Sequence, residues 1–344
     1  MKTIYRILLT TVLCMTAAVQ LYAQDIHLSQ FYETPILRNP ALIGIFNGDV
    51  RVQAVYRNQW NSVTIPYQTG TLSGEIKFPV GRSNDYVTTG LQLTYDRAGT
   101  SKLQSTQIFP AINYHKSLSE YKTSFLSLGF TGGLTQRQFD LANMTFNNQY
   151  TSGRFDPTAP TGEEGKLAYK GYSYLDAGVG LSYNSVIGED VNYYFGVGYY
   201  HFNRAKISFY NNQNIEMDPK LTINAGITIP VEERVKVIAQ YNQLHQGTYS
   251  EYIGGAMIGY GLMDQGLEST RAIYGGLFLR WNDAVIPTIK IDMDKYEIGM
   301  SYDTNISQLR TASKSFGGFE ISLVFKGFLN SRNSTLESVN CPRF

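Results

Sequence analysis

An alternation of period two, repeated along most of the chain, is what most constrains its fold. In "GGFEISLVFKGF", Phe319, Ile321, Leu323 and Phe325 fall on one face and Gly318, Glu320, Ser322 and Lys326 on the other, with only Val324 out of pattern. Successive side chains of a strand point to opposite sides, so this is a strand with one apolar face. In "SFLSLGFTGGLT", Leu126, Leu128, Phe130 and Leu134 oppose Ser127, Gly129, Thr131 and Thr135. In "GLQLTYDRAG", Leu91, Leu93 and Tyr95 oppose Gln92, Thr94 and Asp96, and "YRNQW" sets Tyr56 and Asn58 against Arg57 and Gln59. About 14 segments of 9 to 13 residues read as strands, beginning near Val50, Tyr67, Tyr86, Leu103, Thr123, Tyr172, Asn192, Lys220, Arg234, Tyr249, Arg271, Val285, Tyr296 and Phe316. Tilted strands that cross a bilayer need about 9–11 residues.

The apolar faces need a solvent. Past the N-terminal leader no apolar run approaches the roughly 18 residues of a spanning helix. If the chain enters a membrane it does so as a closed barrel, because only helices and barrels satisfy every backbone group in lipid. Arg57, Glu320 and Lys326 then become lumen-facing, which is ordinary for a polar lumen and odd for a soluble core. Only 17% of the residues are charged, against about 25% in soluble domains. The chain holds 26 Tyr and 18 Phe. Both favour strands, and tyrosine also suits membrane interfaces, where Trp60 and Tyr67 are expected to sit. A secreted soluble sandwich or solenoid shares the alternation and stays open here. The absence of a fixed repeat of 20–50 residues counts against solenoids and propellers. The pattern points to an all-β fold: a transmembrane antiparallel β-barrel of about 14 strands behind an N-terminal signal peptide.

Residues 1–23 combine Lys2 and Arg6, an apolar run from Ile7 to Val19, and "LYA" before Gln24, the layout of a secretory signal cut after Ala23. Its removal leaves Cys341 as the only cysteine and no internal disulfide. Residues 24–48, broken by Pro35 and Pro40, are expected to be an irregular periplasmic or plug segment. Residues 49–329 form the barrel, and 330–344 a periplasmic tail. With a periplasmic start, short turns such as "PVGRSND", "SLSEY" and "VEER" fall inside, and the long connections near 136–171 and 205–219 fall outside. "MDQGLES" is long for its side. With a polar lumen, an arginine is expected to be tolerated better at Ser322 than at Leu323.

No constellation for catalysis appears. The four histidines show no HExxH, and there is no GxSxG, phosphate-binding loop or CxxC. "DMDK" and "NGD" read as solvated turns. No enzyme activity, cofactor or metal is expected. A net charge of +1 and the export signal argue against a nucleic-acid partner. Candidate partner-binding residues are Asn39, able to cap a turn, Pro40, which fixes φ, and Gly44, which permits a reversal. A structural turn accounts for them equally well. The long loop "FNNQYTSGRFDPTAPTGEEG" adds Arg154 and Phe155, since loops beyond about 12–15 residues are usually functional or disordered. The tail adds Cys341 and Phe344, and simple disorder explains it equally well.

Several motifs carry a resemblance. "HLSQFYETPILRNPALIG", "YRNQW", "YDRAG", "TFNNQY", "YYHFNRAKISF", "RWNDAVIP", the run "YEIGMSYDTNISQLRTASKSFGGFEISL" and the ending "NCPRF" together resemble the PorP/SprF family, outer-membrane proteins of the type IX secretion system of the Bacteroidota. The resemblance implies a non-enzymatic outer-membrane barrel in contact with lipid. It would assist export or surface anchoring of a partner such as an adhesin carrying a C-terminal sorting domain. It also implies contact with peptidoglycan-binding or periplasmic ring components. A core role for all cargo, or a small-solute porin, are the alternatives.

Overall fold

The computed structural model describes residues 25–329 apart from 61–64, 82–83, 120–122, 141–143, 152, 164–170, 189, 210–214, 263–270 and 309. The expected signal sequence, the tail with Cys341 and Phe344, and the "MDQGLES" segment lie outside the described residues. The strands are β1 (Val50–Gln59), β2 (Tyr67–Pro79), β3 (Tyr86–Ala98), β4 (Leu103–Ser117) and β5 (Ser124–Gln138). A small hairpin follows, β6 (Tyr150–Thr151) and β7 (Arg154–Phe155). Then come β8 (Gly171–Ile187), β9 (Val191–Tyr200), β10 (Lys220–Glu232), β11 (Val235–Gln246) and β12 (Tyr249–Gly261). The last four are β13 (Arg271–Arg280), β14 (Ala284–Met293), β15 (Tyr296–Asn305) and β16 (Phe316–Gly327).

All but the hairpin join one closed barrel of 14 antiparallel strands. β1 pairs with β16 from Val50↔Gly327 to Gln59↔Gly318 and so closes it. Closure leaves no sheet edge, as lipid requires. No described helix is long and apolar enough to cross a membrane. Strand connections alternate between two ends. The described residues of the connections 60–66, 99–102, 139–170, 201–219, 247–248, 281–283 and 306–315 lie at one, here the loop end. Most connections at the other, the turn end, are short, such as 188–190, 233–234 and 294–295.

The faces invert the order of a water-soluble protein. Outward positions such as Leu72, Leu93, Leu128, Phe130, Ile289 and Leu323 are exposed, whereas inward positions such as Gln53, Glu75, Gln92, Asn113, Asn224 and Glu320 are buried. The inward groups are buried because the lumen is filled. Residues 25–48 enter at the loop end, where Asp25 meets Lys220 and His201, and leave at the turn end, where Asp49 N–H donates to Gly327. Along the way they form a 3-10 turn (Phe31–Glu33), a one-turn helix (Pro35–Arg38) and a second 3-10 turn (Pro40–Leu42). Thus Val50 starts β1 at the turn end, but the segment before it occupies the lumen rather than the space below the barrel.

Apolar plug residues pack against the few inward apolar side chains. Phe31 and Tyr32 meet Phe278, Ile286 and Tyr274, Ile36 and Ile43 meet Phe109, and Leu42 and Ile45 meet Tyr194. The expectation that arginine is tolerated better at Ser322 than at Leu323 rests on room in the lumen; Ser322 is instead buried, and its Oγ donates to Gln30 Oε1 at 2.7 Å.

Candidate functional site

A buried irregular segment has no ladder to satisfy its backbone, so other groups must do it. Here inward barrel side chains do. Asn113 Nδ2 donates to Ala41 O and Ile43 O at 2.9 Å each, and Ser182 Oγ donates to Ala41 O at 2.9 Å. Tyr200 OH donates to Ile36 O at 2.5 Å, and Thr222 Oγ1 to Arg38 O at 2.6 Å. The polar faces of β4, β8, β9 and β10 thus complement the plug backbone.

Two latches hold the ends. Near the loop end, Glu320 accepts the N–H groups of Ser29 at 2.6 Å and Gln30 at 2.8 Å. Arg57, its cross-strand partner in the pair that closes the barrel, donates to the same carboxylate. Arg57 Nη2 also reaches Asp303 Oδ2 at 2.8 Å, and Arg280 pairs with Asp303 as well. Ser29 Oγ donates to Asp303 at 2.6 Å and accepts from Arg57 at 2.6 Å and Arg280 at 3.2 Å. Two guanidinium groups thus meet two buried carboxylates, and Arg280 also pairs with the exposed Asp283 at 2.6 Å, so each buried charge has a partner. The same device recurs near the turn end. Glu75 accepts Gly44 N–H at 2.8 Å and pairs with its cross-strand neighbour Arg51 at 2.8 Å. There Arg51 and Lys77 also stand over the Phe46 ring, at 4.5 and 4.1 Å from its centre.

Between the latches the plug backbone touches the wall. An added Cβ on Gly129 would sit 2.3 Å from the Pro40 carbonyl carbon, and one on Gly180 would sit 1.9 Å from Asn39 Oδ1. These glycines pair across β5 and β8 and make the seat for Asn39–Pro40–Ala41. Asn39 Oδ1 accepts Ala41 N–H at 2.9 Å, capping the second 3-10 turn, and Gly44 has φ +84°, a left-handed conformation that suits glycine. A space of about 50 Å³ remains beside Tyr32, Glu33 and Arg38, enough for a few waters at most.

The mouth at the loop end holds a third cluster. Asp25 reaches Lys220 Nζ at 2.5 Å and His201 Nε2 at 3.1 Å, while His201 Nδ1 faces Asp176 at 2.7 Å. Burial alone would raise the Asp25 carboxyl, but Lys220 and His201 hold it well below the carboxylate range. For His201 burial works against protonation, yet Asp25 and Asp176 raise its pKa above the ordinary 6.5.

Of the sequence candidates, Asn39, Pro40 and Gly44 lie together in the plug, and Arg57 and Glu320 lie together in the loop-end latch. Lys326 belongs to a separate group near the turn end, pairing with Glu297, which Lys290 also contacts. Arg154 and Phe155 are exposed on the hairpin and do not join the buried set. Ser29, Asp303, Arg280, Glu75 and the glycine seat went unmarked in the sequence, although glycines inside strand-like runs were the available signal. Among the described residues no group of three or more His, Cys, Asp or Glu side chains is placed to hold a metal ion.

The family described as "Type IX secretion system membrane protein PorP/SprF" matches residues 20–325, which takes in the plug and nearly the whole barrel. The chain belongs to that family. This PorP/SprF protein is similar in fold to the toluene transporter TbuX of Ralstonia pickettii, at 10% identity and TM-score 0.51, over 86% of this chain and 94% of that chain. Weaker likenesses include a deltaS2S3 mutant of the monoaromatic hydrocarbon channel TodX, at 11% identity, TM-score 0.46, and 84% and 92% coverage. Another is the translocator domain of the autotransporter NalP from Neisseria meningitidis, at 9% identity, TM-score 0.34, and 83% and 90% coverage. No curated protein matches the chain. Family and fold place this PorP/SprF protein in the outer membrane as a component of type IX secretion.

Proposed function

We propose that the barrel is a non-enzymatic, non-conducting platform that assists export or surface anchoring of a partner protein, such as an adhesin with a C-terminal sorting domain. The observation that carries this reading is the filled lumen: residues 25–48 are latched at both ends by Arg–Glu pairs and hydrogen-bonded to the wall between them. A barrel closed in this way offers its loops and rims rather than a passage. The long connection holding Arg154 and Phe155 is the external contact surface in this reading. The turn end and tail, with Cys341 and Phe344, face the periplasmic machinery. Asn39, Pro40 and Gly44 act inside the protein, holding the plug that closes the pore.

The likeness to the toluene transporter TbuX supplies the competing reading, a route for small solutes, but at 10% identity it speaks for the fold alone. Two measurements separate the readings. In planar bilayers the intact protein is expected to stay closed, and a wide, steady conductance would overturn the platform reading in favour of a porin. In a clean deletion strain, surface proteomics is expected to lose one or a few sorting-domain proteins. Global loss of type IX cargo would indicate a core role instead.

A further inference from the structure

The lipid-facing wall is not uniformly convex. A groove of about 660 Å³ runs across β16, β1, β2, β3 and β4, with Ala54 and Gly70 at its floor and Leu72, Leu93, Ile108 and Leu323 along its sides. The floor is low because small residues occupy outward positions of adjacent strands, Ala54 on β1 and Gly70 on β2, with Gly70 set between Tyr56 and Tyr95 and Gly74 further along the same face. A Cβ built on either glycine meets no atom within 4 Å, so no neighbour fills the hollow. Five strands at about 4.8 Å spacing span about 19 Å, a length suited to an extended hydrocarbon chain.

Just beyond the groove on its loop side the wall is polar and carries a cation. Tyr95 lines the groove, and Arg97 follows two residues later on the same face of β3. Its register neighbours on either side, Gln68 and Gln104, are uncharged. Gln68 in turn donates to the Tyr56 hydroxyl at 3.2 Å, which makes a hydrogen-bonding rim. Apolar below and cationic at the rim, the site matches one amphiphile with an anionic head.

We propose that the Gly70 groove is a specific lipid site, taking one acyl chain along its floor and the phosphate headgroup of a net-anionic lipid at Arg97, in the leaflet on the loop side. A protein partner would have to bring its own apolar ridge and acid, whereas such a lipid has both on one molecule. This inference is independent of the platform reading.

Native mass spectrometry of the full-length purified protein, titrated with phosphatidylglycerol or phosphatidylcholine of identical chains, tests it. One phosphatidylglycerol should be retained in preference to phosphatidylcholine by roughly five-fold, the effect of one basic residue at a membrane surface. Arg97→Gln should abolish the preference. Gly70→Leu should abolish retention of both lipids without loss of folding, since the space it enters is empty. Gly275→Leu is the control, because Gly275 on β13 is another glycine whose added Cβ meets nothing. Equal retention of the two lipids by the unmodified protein would overturn the proposal. So would a Gly275→Leu effect as large as that of Gly70→Leu. Self-association that Gly70→Leu removes, with no retained lipid, would assign the groove to a second copy instead.

Discussion

Ser322 and Leu323 are adjacent on β16 yet belong to different environments. Leu323 is exposed on the lipid face, among Phe319, Ile321 and Phe325, and Ser322 is buried against Gln30 of the plug. The outer face around Leu323 is apolar, and hydrocarbon-soluble side chains of different shape serve there. The inner face is polar and particular, because many of its side chains, Glu320, Asn113, Ser182, Thr222 and Glu75 among them, answer a named group of residues 25–48. In this barrel the specific, tightly matched interior is the polar one. Substitutions should therefore be judged by which packed group they disturb, and polarity is a poor guide to tolerance.

The strongest break in that comparison should come from the inner face. Arg57→Ala leaves Glu320 without its guanidinium and weakens the hold on Asp303. Removing one member of a buried ion pair costs about 3–5 kcal/mol, which urea unfolding in lipid vesicles should register. The double change Arg57→Met with Glu320→Met should recover part of the loss and no more. It removes the orphaned charge but leaves the Ser29 and Gln30 N–H groups without an acceptor. Complete recovery would mean that Glu320 serves only to balance Arg57.

Leu323→Arg tests the outer face. A charged side chain near the bilayer midplane of a barrel costs about 2–4 kcal/mol. Ser322→Arg should be at least as damaging, since it places an unpaired cation against Gln30 in a lumen with no room for it. If Ser322→Arg unfolds at the same urea concentration as the unmodified protein, the lumen is wetter and looser than a latched plug allows.

Much of this architecture was legible in the sequence. The period-two pattern located the strands, each within about one residue of its observed start, because lipid enforces the alternation at every outward position. The plug was not legible in the same way. Residues 25–48 have no period, and their fold is set by contacts to strands up to 292 positions away, as in Ser322 to Gln30. Arg57 and Glu320 stood out as charges on strands, but their pairing depends on ring closure between β1 and β16. Gly129 and Gly180 carry no sequence signal beyond being glycines inside strand-like runs. Only the path of Pro40 and Asn39 across them explains why a side chain is excluded.

The smallest expected effect lies at the mouth, where the plug enters and the two histidines oppose each other in sign. His201 is raised, against the effect of its burial, by Asp25 and Asp176. Its contribution to stability is complete below the ordinary histidine value of about 6.5 and is lost as pH rises through its folded value. His27, in the plug with a quarter of its side chain exposed and Nδ1 3.8 Å from Glu251, is nonetheless lowered, first by burial and then by Arg280 and Arg57. Its contribution is complete above about 6.5 and is lost as pH falls through its folded value. Asp25, held down by Lys220 and His201, adds a further loss only below about pH 4. Together these groups predict a shallow stability maximum near pH 6.5, measurable as the temperature at which the unboiled gel band converts to the slower, unfolded form. His201→Gln should flatten the alkaline arm alone, and His27→Gln the acid arm above pH 4. If His201→Gln leaves the alkaline slope unchanged, the Asp25 tether does not contribute to closing the mouth, and the two latches deeper in the lumen hold the plug by themselves.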